Sequence, residues 1–236
     1  MASSTVSPHS IRFPNEPPSY REARDKLLRA EMALRRQMED VAALRRQLPL
    51  GGEVPEDYIF EEGASDLADS ETGRRVHMSE LFAPDKSTLV LYSYMFGPEM
   101  KTPCTSCTSM LDSLNGEAPH VSQRVNLAVV AKSPIQRIRD LARSRSWKNF
   151  RLLSSEKNNY NRDYQGENSK GSQMPSLNVF TKRHGKIYHF YNTELLFAPS
   201  EKGMDGRHID LIWPLWNLFD FTPEGRGTDW YPKLSY

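Results

Sequence analysis

MFGPEMKTPCTSCTSM, residues 95–110, contains both cysteines of the 236-residue chain, Cys104 and Cys107. The segment follows an apolar run at 89–92 that is typical of a buried strand, and it leads into an amphipathic segment at 108–115 that we expect to be helical. A strand that ends in a loop and delivers a C-x-x-C motif to the start of a helix has the geometry of a thiol–disulfide redox site. The unpaired N–H groups and the dipole of the helix favour a thiolate there. We therefore predict that Cys104 is the attacking thiol and that Cys107 resolves the mixed disulfide.

The composition indicates a globular protein with one domain and extensions. Hydrophobic residues make up 38% of the chain and charged residues 26%, and the net charge of +1 provides no electrostatic case for a nucleic-acid partner. No segment approaches the roughly 20 apolar residues that span a bilayer, so we expect no membrane partner. The polar residues 1–10 lack the apolar core of a secretory signal, and a single cysteine pair fits a cytoplasmic location. Structural zinc usually needs four ligands, so with no second cysteine pair we expect no metal and no cofactor.

The N-terminal part of the chain divides into a flexible arm at 1–18, rich in Ser and Pro, and a helix at 19–50. Along this helix apolar residues form a narrow stripe with charged residues elsewhere: Leu27, Leu34, Val41, Leu44 and Leu48. Such a stripe suits either a helix that lies along its own domain or one that also packs on a partner subunit, and both remain open. Because isolated helices gain little stability without tertiary packing, and because symmetric dimers are common, we predict a homodimer.

The order of the remaining elements predicts an α/β, thioredoxin-like fold. A strand, the cysteine motif, a helix, a strand and a helix are followed by a hairpin around the turn at 183–185 and a closing helix within 203–219. Crossovers of this kind build parallel strand pairs with helices on both faces and a hairpin at the edge. We therefore predict a thioredoxin-like domain over 51–236 that includes an aromatic extension at 222–236.

Four further residues are candidates for substrate binding. Pro175 precedes the hairpin, where thioredoxin-like folds place a cis proline that faces the cysteines; a trans proline that opens an edge strand is the alternative. Tyr94 precedes the cysteine loop and could offer its hydroxyl to a substrate, although bulk packing is the commoner role. His208 and Trp213 open the closing helix and could line a pocket near the dithiol, where an imidazole could lower the pKa of Cys104 or relay a proton. A capping and packing cluster is the alternative for this pair.

The helix that begins at 133–134 carries a run of arginines: Arg137, Arg139, Arg143 and Arg145. These residues lie largely outside the apolar face of that helix. We therefore expect a solvated face, with an anion-binding patch as the alternative.

Several long segments carry a family resemblance that covers nearly the whole chain. Beside the charged N-terminal helix, they are VPEDYIF (54–60), YSYMFGPEM (92–100) with CTSC (104–107), NVFTKRHGKIYHFYNT (178–193) and GRHIDLIWPLWNLFDFTPEGRG (206–227). With these segments the chain resembles the bacterial thioredoxin-like proteins of a domain-of-unknown-function family, often loosely labelled alkyl hydroperoxide reductase-like. The resemblance implies a thioredoxin fold and a redox-type cysteine site, and it implies no particular substrate.

The chain departs from the peroxiredoxin pattern P-x-x-x-[TS]-x-x-C, in which a hydroxyl and the backbone orient a peroxide. Three and seven residues before Cys104 stand Lys101 and Gly97, and the same positions before Cys107 hold Cys104 and Met100. Neither cysteine fits, which argues against a peroxidase of the usual type.

Three functions remain open on the sequence. The first is a thiol–disulfide oxidoreductase that acts on a redox partner protein or a small molecule. The second is a metal- or haem-binding module on a thioredoxin scaffold, in which Cys104, Cys107 and a His or a Met such as Met95 or Met100 hold a soft ion such as copper(I). The third is a non-catalytic assembly protein that acts through its N-terminal helix. We favour the first, and the residues name neither its substrate nor its electron donor.

Overall fold

The computed structural model describes residues 7–69 and 73–236, so residues 1–6 of the predicted arm and residues 70–72 lie outside the described residues. Residues up to Pro49 and residues from Leu50 onward form two compact units. No helix in the described ranges has the length and the apolar character needed to cross a bilayer.

The first unit is built around helix α1, Pro18–Arg46. A proline is tolerated at the first helical position because the N–H that it lacks has no intrahelical partner there. In the preceding segment Glu16 forms an ion pair with Arg21 at 2.7 Å, and Ser7 donates a hydrogen bond to Asp25 at 3.0 Å. These contacts tie the described end of the predicted arm to the first turns of α1. Four leucines of the predicted stripe are exposed: Leu27, Leu34, Leu44 and Leu48.

Among the described residues of the second unit, seven strands form one mixed sheet in the order β2-β1-β5-β4-β3-β6-β7. The strands are β1 Ile59–Gly63, β2 Gly73–His77, β3 Thr88–Ser93, β4 Asn126–Ala131, β5 Arg151–Ser154, β6 Ser176–Arg183 and β7 Lys186–Asn192. The helices are α2 Thr105–Val121, α3 Ile135–Arg145, α4 Tyr160–Asp163 and α5 Pro214–Asp220, with short 3-10 helices at Met78–Leu81, Glu194–Phe197 and Asp210–Ile212. Strand β4 is parallel to β3 and β5, and the other neighbouring strands are antiparallel.

This topology is thioredoxin-like, so the predicted fold class is confirmed. Two crossovers, β3–α2–β4 and β4–α3–β5, build the parallel strands, and the β6–β7 hairpin extends the sheet from the other side of β3. The predicted hairpin turn is present as well. His184 and Gly185 have positive φ angles of 50° and 79°, as the two-residue type I′ turn of a hairpin requires.

Two clusters of buried apolar residues pack against the sheet. Leu89 and Leu91 of β3 belong to one cluster, whereas Tyr92 belongs to the other, which also contains Cys107 and Trp213. Strand β3 is therefore apolar on both faces at its centre, as expected for a buried strand of a parallel pair. Because Cys107 is part of the second cluster, one of the two thiols is packed into the hydrophobic core.

The arginines of α3 do not form the solvated face that the sequence predicts. Arg139 is only 2% exposed and donates to three carbonyl oxygens of the loop 64–69, and Arg143 donates to a fourth at 2.9 Å. Arg145 pairs with Asp112. The prediction was wrong because a guanidinium has five donors in a fixed fork and can satisfy several carbonyls of a loop that is distant in sequence.

The closing segment is less regular than the single helix predicted within 203–219. A short 3-10 helix precedes Pro214, which starts α5 and does not lie inside a helix. Its missing N–H explains why the helix begins there. After α5 the chain folds back, and Arg226 forms ion pairs with Asp210 and with Asp220, the latter at 2.8 Å. The C-terminal extension is thus anchored to the start of the closing segment.

Candidate dithiol site

Cys104 occupies the N-cap of α2, directly before the first helical residue. Its Sγ accepts a hydrogen bond from the main-chain N–H of Cys107 at 3.4 Å, and its own N–H donates to the carbonyl oxygen of Met95 at 3.1 Å. Cys104 is half-buried, Cys107 is buried, and both are free thiols. The structure therefore brings the two predicted cysteines together at the start of a helix, with the first more accessible than the second.

The two thiols have opposite pKa shifts. The pKa of Cys104 is lowered to about 6, chiefly by the hydrogen bond from the Cys107 thiol, with further donors in the N–H groups of Cys107 and Ser106 and the Ser106 hydroxyl; burial opposes these effects. The pKa of Cys107 is raised, first by its hydrogen bond to Cys104 and then by burial, while the Tyr92 hydroxyl acts in the opposite direction. At neutral pH the arrangement favours a Cys104 thiolate beside a protonated Cys107.

The loop that leads to Cys104 is held by Arg137 of α3. The guanidinium donates to the carbonyl oxygen of Gly97 at 3.0 Å and also to those of Met100 and Lys101. It also lies over the ring of Phe96, 4.1 Å from the ring centroid. The sequence indicated Arg137 only as part of a solvated charge run, and no local signal identifies its partners, because they lie some 40 residues earlier in the chain.

Position 97 in the same loop requires a glycine, because the backbone there closely approaches the side chain of Gln173. A Cβ at this position would lie 2.8 Å from Cγ of Gln173, which is itself buried. The position that would carry proline in the peroxiredoxin pattern therefore has no room for a side chain. This steric limit gives a structural reason for the departure from that pattern.

Tyr94 supports the start of α2 from inside the core. Its hydroxyl lies 2.6 Å from Oγ1 of Thr108, and that oxygen donates to the carbonyl oxygen of Cys104 at 2.7 Å. Because the proton of Thr108 is used on Cys104, the Tyr94 hydroxyl is the donor to Thr108. Tyr94 is 1% exposed, so the contact found for its hydroxyl is a structural one within the protein.

The aromatic C-terminal part of the chain reaches the cysteine motif at two points. Trp213 packs in the cluster that contains Cys107, and its Nε1 donates to Oγ of Ser109 at 3.3 Å. The hydroxyl of Tyr231 is hydrogen-bonded to Oγ of Ser106, the second residue between the cysteines. Trp213 was predicted as a site residue from the sequence, whereas Ser106 and Tyr231 were not. For Ser106 the available signal was its position between the two cysteines.

Pro175 lies directly before β6, which pairs with the end of β3 from which the cysteine loop departs. It directly precedes Ser176, which pairs with Ser93 at the end of β3. The Met174–Pro175 bond is trans, so the cis alternative was wrong and the alternative of a trans proline that opens a strand is the one found.

His208 is half-buried beside the closing segment. Burial lowers its pKa, and the Asp210 carboxylate opposes that shift. The groups that lower the pKa of Cys104 most belong to the cysteine motif itself. His208 and Trp213 stay predictions as substrate contacts.

The described residues contain no group of three or more His, Cys, Asp or Glu side chains that could hold a metal ion. Of the methionines considered as soft ligands, Met100 uses its Sδ to accept the N–H of Gly97 at 3.3 Å.

Comparison with known protein families shows which family the chain belongs to. Residues 11–236 match the family described as bacterial protein of unknown function, DUF899. The chain belongs to this family. The family resemblance seen in the sequence is therefore confirmed, and no curated protein matches the chain significantly.

The solved structures to which this DUF899 member is similar include the following three. Enterococcus faecalis AhpC has 10% identity and a TM-score of 0.46, with 78% of this chain and 98% of that protein covered. Plasmodium yoelii thioredoxin peroxidase I has 14% identity and a TM-score of 0.45, with 78% and 100% covered. Mycobacterium tuberculosis peroxidoxin BcpB has 19% identity and a TM-score of 0.41, with 71% and 95% covered.

Proposed function

We propose that this protein is a thiol–disulfide oxidoreductase that uses Cys104 and Cys107. The observation that carries the proposal is the pair itself: a half-buried Cys104 with a lowered pKa at the N-cap of α2, in contact with a buried Cys107 whose pKa is raised. A nucleophilic thiolate beside a protonated thiol is the starting state that disulfide exchange needs. The departure from the peroxiredoxin pattern favours a disulfide over a peroxide as the substrate.

In the proposed reaction the Cys104 thiolate attacks one sulfur of a substrate disulfide. A mixed disulfide forms, the substrate S–S bond breaks, and the leaving thiolate takes a proton from solvent. Cys107 then loses its proton and attacks Sγ of Cys104, which releases the second substrate thiolate. The substrate disulfide has gained two electrons, and the dithiol has become a Cys104–Cys107 disulfide that a thiol reductant must reduce before the next cycle.

The proposal also covers residues near the dithiol that would contact a substrate. Pro175 directly precedes Ser176, the partner of the last residue of β3 before the cysteine loop, and Trp213 packs in the same apolar cluster as Cys107. We include both as substrate contacts, with His208 as a further candidate. The Tyr94 hydroxyl is instead bonded to Thr108 inside the core. A redox partner protein or a small disulfide, a homodimeric assembly and a cytoplasmic location are parts of the same proposal.

The test is a redox titration of the purified protein in glutathione buffers, with the thiol state read by alkylation and mass spectrometry. We expect a reversible Cys104–Cys107 disulfide and exchange with an aromatic disulfide such as dithiobis(nitrobenzoate). Cys104→Ser should abolish the exchange, whereas Cys107→Ser should trap mixed disulfides on Cys104. Ser113→Ala, nearly two turns beyond Cys107 on α2, serves as the control. Equal exchange by both cysteine variants and the parent protein would reject the proposal.

A further inference from the structure

A cavity of about 890 Å³ opens on the face of the sheet opposite to the dithiol. Two buried amides line it, Asn178 of β6 and Asn192 at the end of β7. Asn178 lies two positions before Phe180, a member of one apolar cluster. Its neighbour Leu177 packs against the other cluster, which contains Cys107. Because alternate residues of a strand share a face, the cavity and the dithiol lie on opposite faces of the sheet.

A β-bulge in the β6–β7 hairpin turns two side chains of β7 toward this cavity. In a regular strand His189 and Asn192 would point to opposite faces, because they are three positions apart. The register of the two strands shifts between Val179 and Phe180. Both side chains of β7 therefore contact the same atom, Oδ1 of Asn178, His189 at 3.0 Å and Asn192 at 2.8 Å. Bulges of this kind re-aim side chains beside functional sites.

The orientation of both amides follows from one main-chain carbonyl. Nδ2 of Asn178 lies 3.1 Å from the carbonyl oxygen of Tyr164, which can only accept a hydrogen bond. The Oδ1 end of Asn178 therefore faces β7 and accepts from Nδ2 of Asn192 and from Nε2 of His189. Nδ2 of Asn192 also donates to Oγ of Ser176 at 2.7 Å. With two hydrogen bonds accepted, Oδ1 of Asn178 has no free lone pair for a further donor.

The carbonyl oxygen of the Asn192 amide is left without a donor. Asn192 is 8% exposed, and its Oδ1 has no hydrogen-bond partner among the described residues. The amide nitrogens of Asn178 and Asn192 cannot supply one, because each already donates two hydrogen bonds. A buried acceptor without a partner is costly and requires an explanation. Since Asn192 lines the cavity, a molecule bound there can supply the missing donor.

The rim of the cavity is acidic. No lysine or arginine of the described residues lines it, and three carboxylates do: Glu53, Asp163 and Glu194. Glu53 is paired with Lys186 at 2.8 Å, and Asp163 is paired with Arg162 at 3.5 Å. Glu194, two positions after Asn192, has no ion pair among the residues that the structure describes. Its carboxylate therefore favours a cation at the end of the cavity where the unpaired amide oxygen lies.

We propose that this cavity binds a small organic cation, a primary ammonium group on an apolar body. The ammonium group donates to Oδ1 of Asn192 and to the carboxylate of Glu194, both of which are acceptors. The body lies against the rings of Tyr164 and Phe197, which line the same cavity. The ring of Tyr164 is held by an edge contact with Phe180 at 4.9 Å. The inference goes beyond the proposed function, since none of these residues belongs to the dithiol site.

The test is an NMR titration of the isotope-labelled, reduced full chain at neutral pH with phenethylamine, which follows the amide signals of β6 and β7. We expect saturable shifts that include the side-chain amide of Asn192. Hydrocinnamate, which has a similar body and the opposite charge, should bind at least several-fold more weakly. Glu194→Gln should weaken the binding of phenethylamine about three- to fivefold. Glu201→Gln, which removes an exposed carboxylate outside the cavity, is the matched control and should bind like the parent.

A lack of saturable shifts with phenethylamine, butylamine and hexylamine would overturn the inference, because water alone would then fill the cavity. Equal affinity for hydrocinnamate, or equal binding by Glu194→Gln and Glu201→Gln, would also overturn it. Phe197→Ala should weaken phenethylamine more than butylamine, and an equal effect on the two amines would reject the placement of the body. Glu194 and Phe197 are exposed, so their variants should keep the parent's thermal unfolding.

Discussion

The hydroxyl of Tyr94 lies 2.6 Å from Oγ1 of Thr108, and this contact joins the end of β3 to the first turn of α2. Thr108 in turn donates to the carbonyl oxygen of Cys104. These two hydrogen bonds thereby link the strand that precedes the cysteine loop to the helix that follows it.

Tyr94→Phe should destabilise the protein. The change removes a buried donor and leaves Oγ1 of Thr108 without it, so the free energy of unfolding should fall by about 1–2 kcal/mol in urea titrations. Tyr20→Phe, which removes an exposed hydroxyl from α1, is the matched control and should stay within about 0.5 kcal/mol of the parent. An equal effect of the two variants would contradict the structural role of Tyr94.

Arg137→Met should loosen the loop 97–101. The variant removes the guanidinium, which both donates to the loop carbonyls and lies over the ring of Phe96, so hydrogen exchange of amides in 97–104 should accelerate at least several-fold. Gln136→Met, at the exposed neighbouring position, is the control and should exchange like the parent. Unchanged protection of 97–104 in Arg137→Met would show that the loop does not depend on this side chain.

The stability of the reduced protein should rise with pH between about 6 and 9. The pKa of Cys104 is lowered in the folded state, chiefly by the Cys107 thiol, so its stabilising effect is present above the pKa of the unfolded thiol and is lost as the pH falls through about 6. Cys107 has a raised pKa and contributes in the opposite direction only at more alkaline pH. Urea midpoints of the parent relative to Cys104→Ser isolate the effect from other titrating groups. A difference between the two proteins that does not grow with pH would contradict the shift.

The exposed leucines of α1 should hold a homodimer. Leu34→Glu combined with Leu44→Glu places charges on the stripe, so light scattering at micromolar concentration should show the 27.1 kDa chain mass for the variant and twice that mass for the parent. Arg35→Glu, which changes charge at an exposed position beside the stripe, is the control and should remain dimeric. A monomeric parent would end the dimer prediction.

Local patterns in the sequence were enough for several elements of the fold and for the centre of the site. The apolar run of β3 and the C-x-x-C that follows it placed Cys104 at a helix start, because strand length and helix periodicity are local properties. The turn at 183–185 predicted the β6–β7 hairpin for the same reason, since a His-Gly pair can adopt the two positive φ angles.

Local patterns failed where a side chain's partner is distant in sequence. Arg139 was expected in water and instead holds the loop 64–69 from about 70 positions away. For Pro175 the residues alone left a cis and a trans peptide bond open, and the bond is trans.

The sequence by itself therefore determined that two closely spaced thiols follow a buried strand at the start of a helix, in a thioredoxin-like order of elements. What surrounds the thiols was decided only by tertiary structure. Arg137 reaches the loop carbonyls and Tyr231 reaches Ser106 because the sheet and the C-terminal segment bring together residues 40 and 125 positions apart. The physical reason is that periodicity and turn chemistry act over a few residues, whereas hydrogen-bond partners in a folded core are chosen by proximity in space.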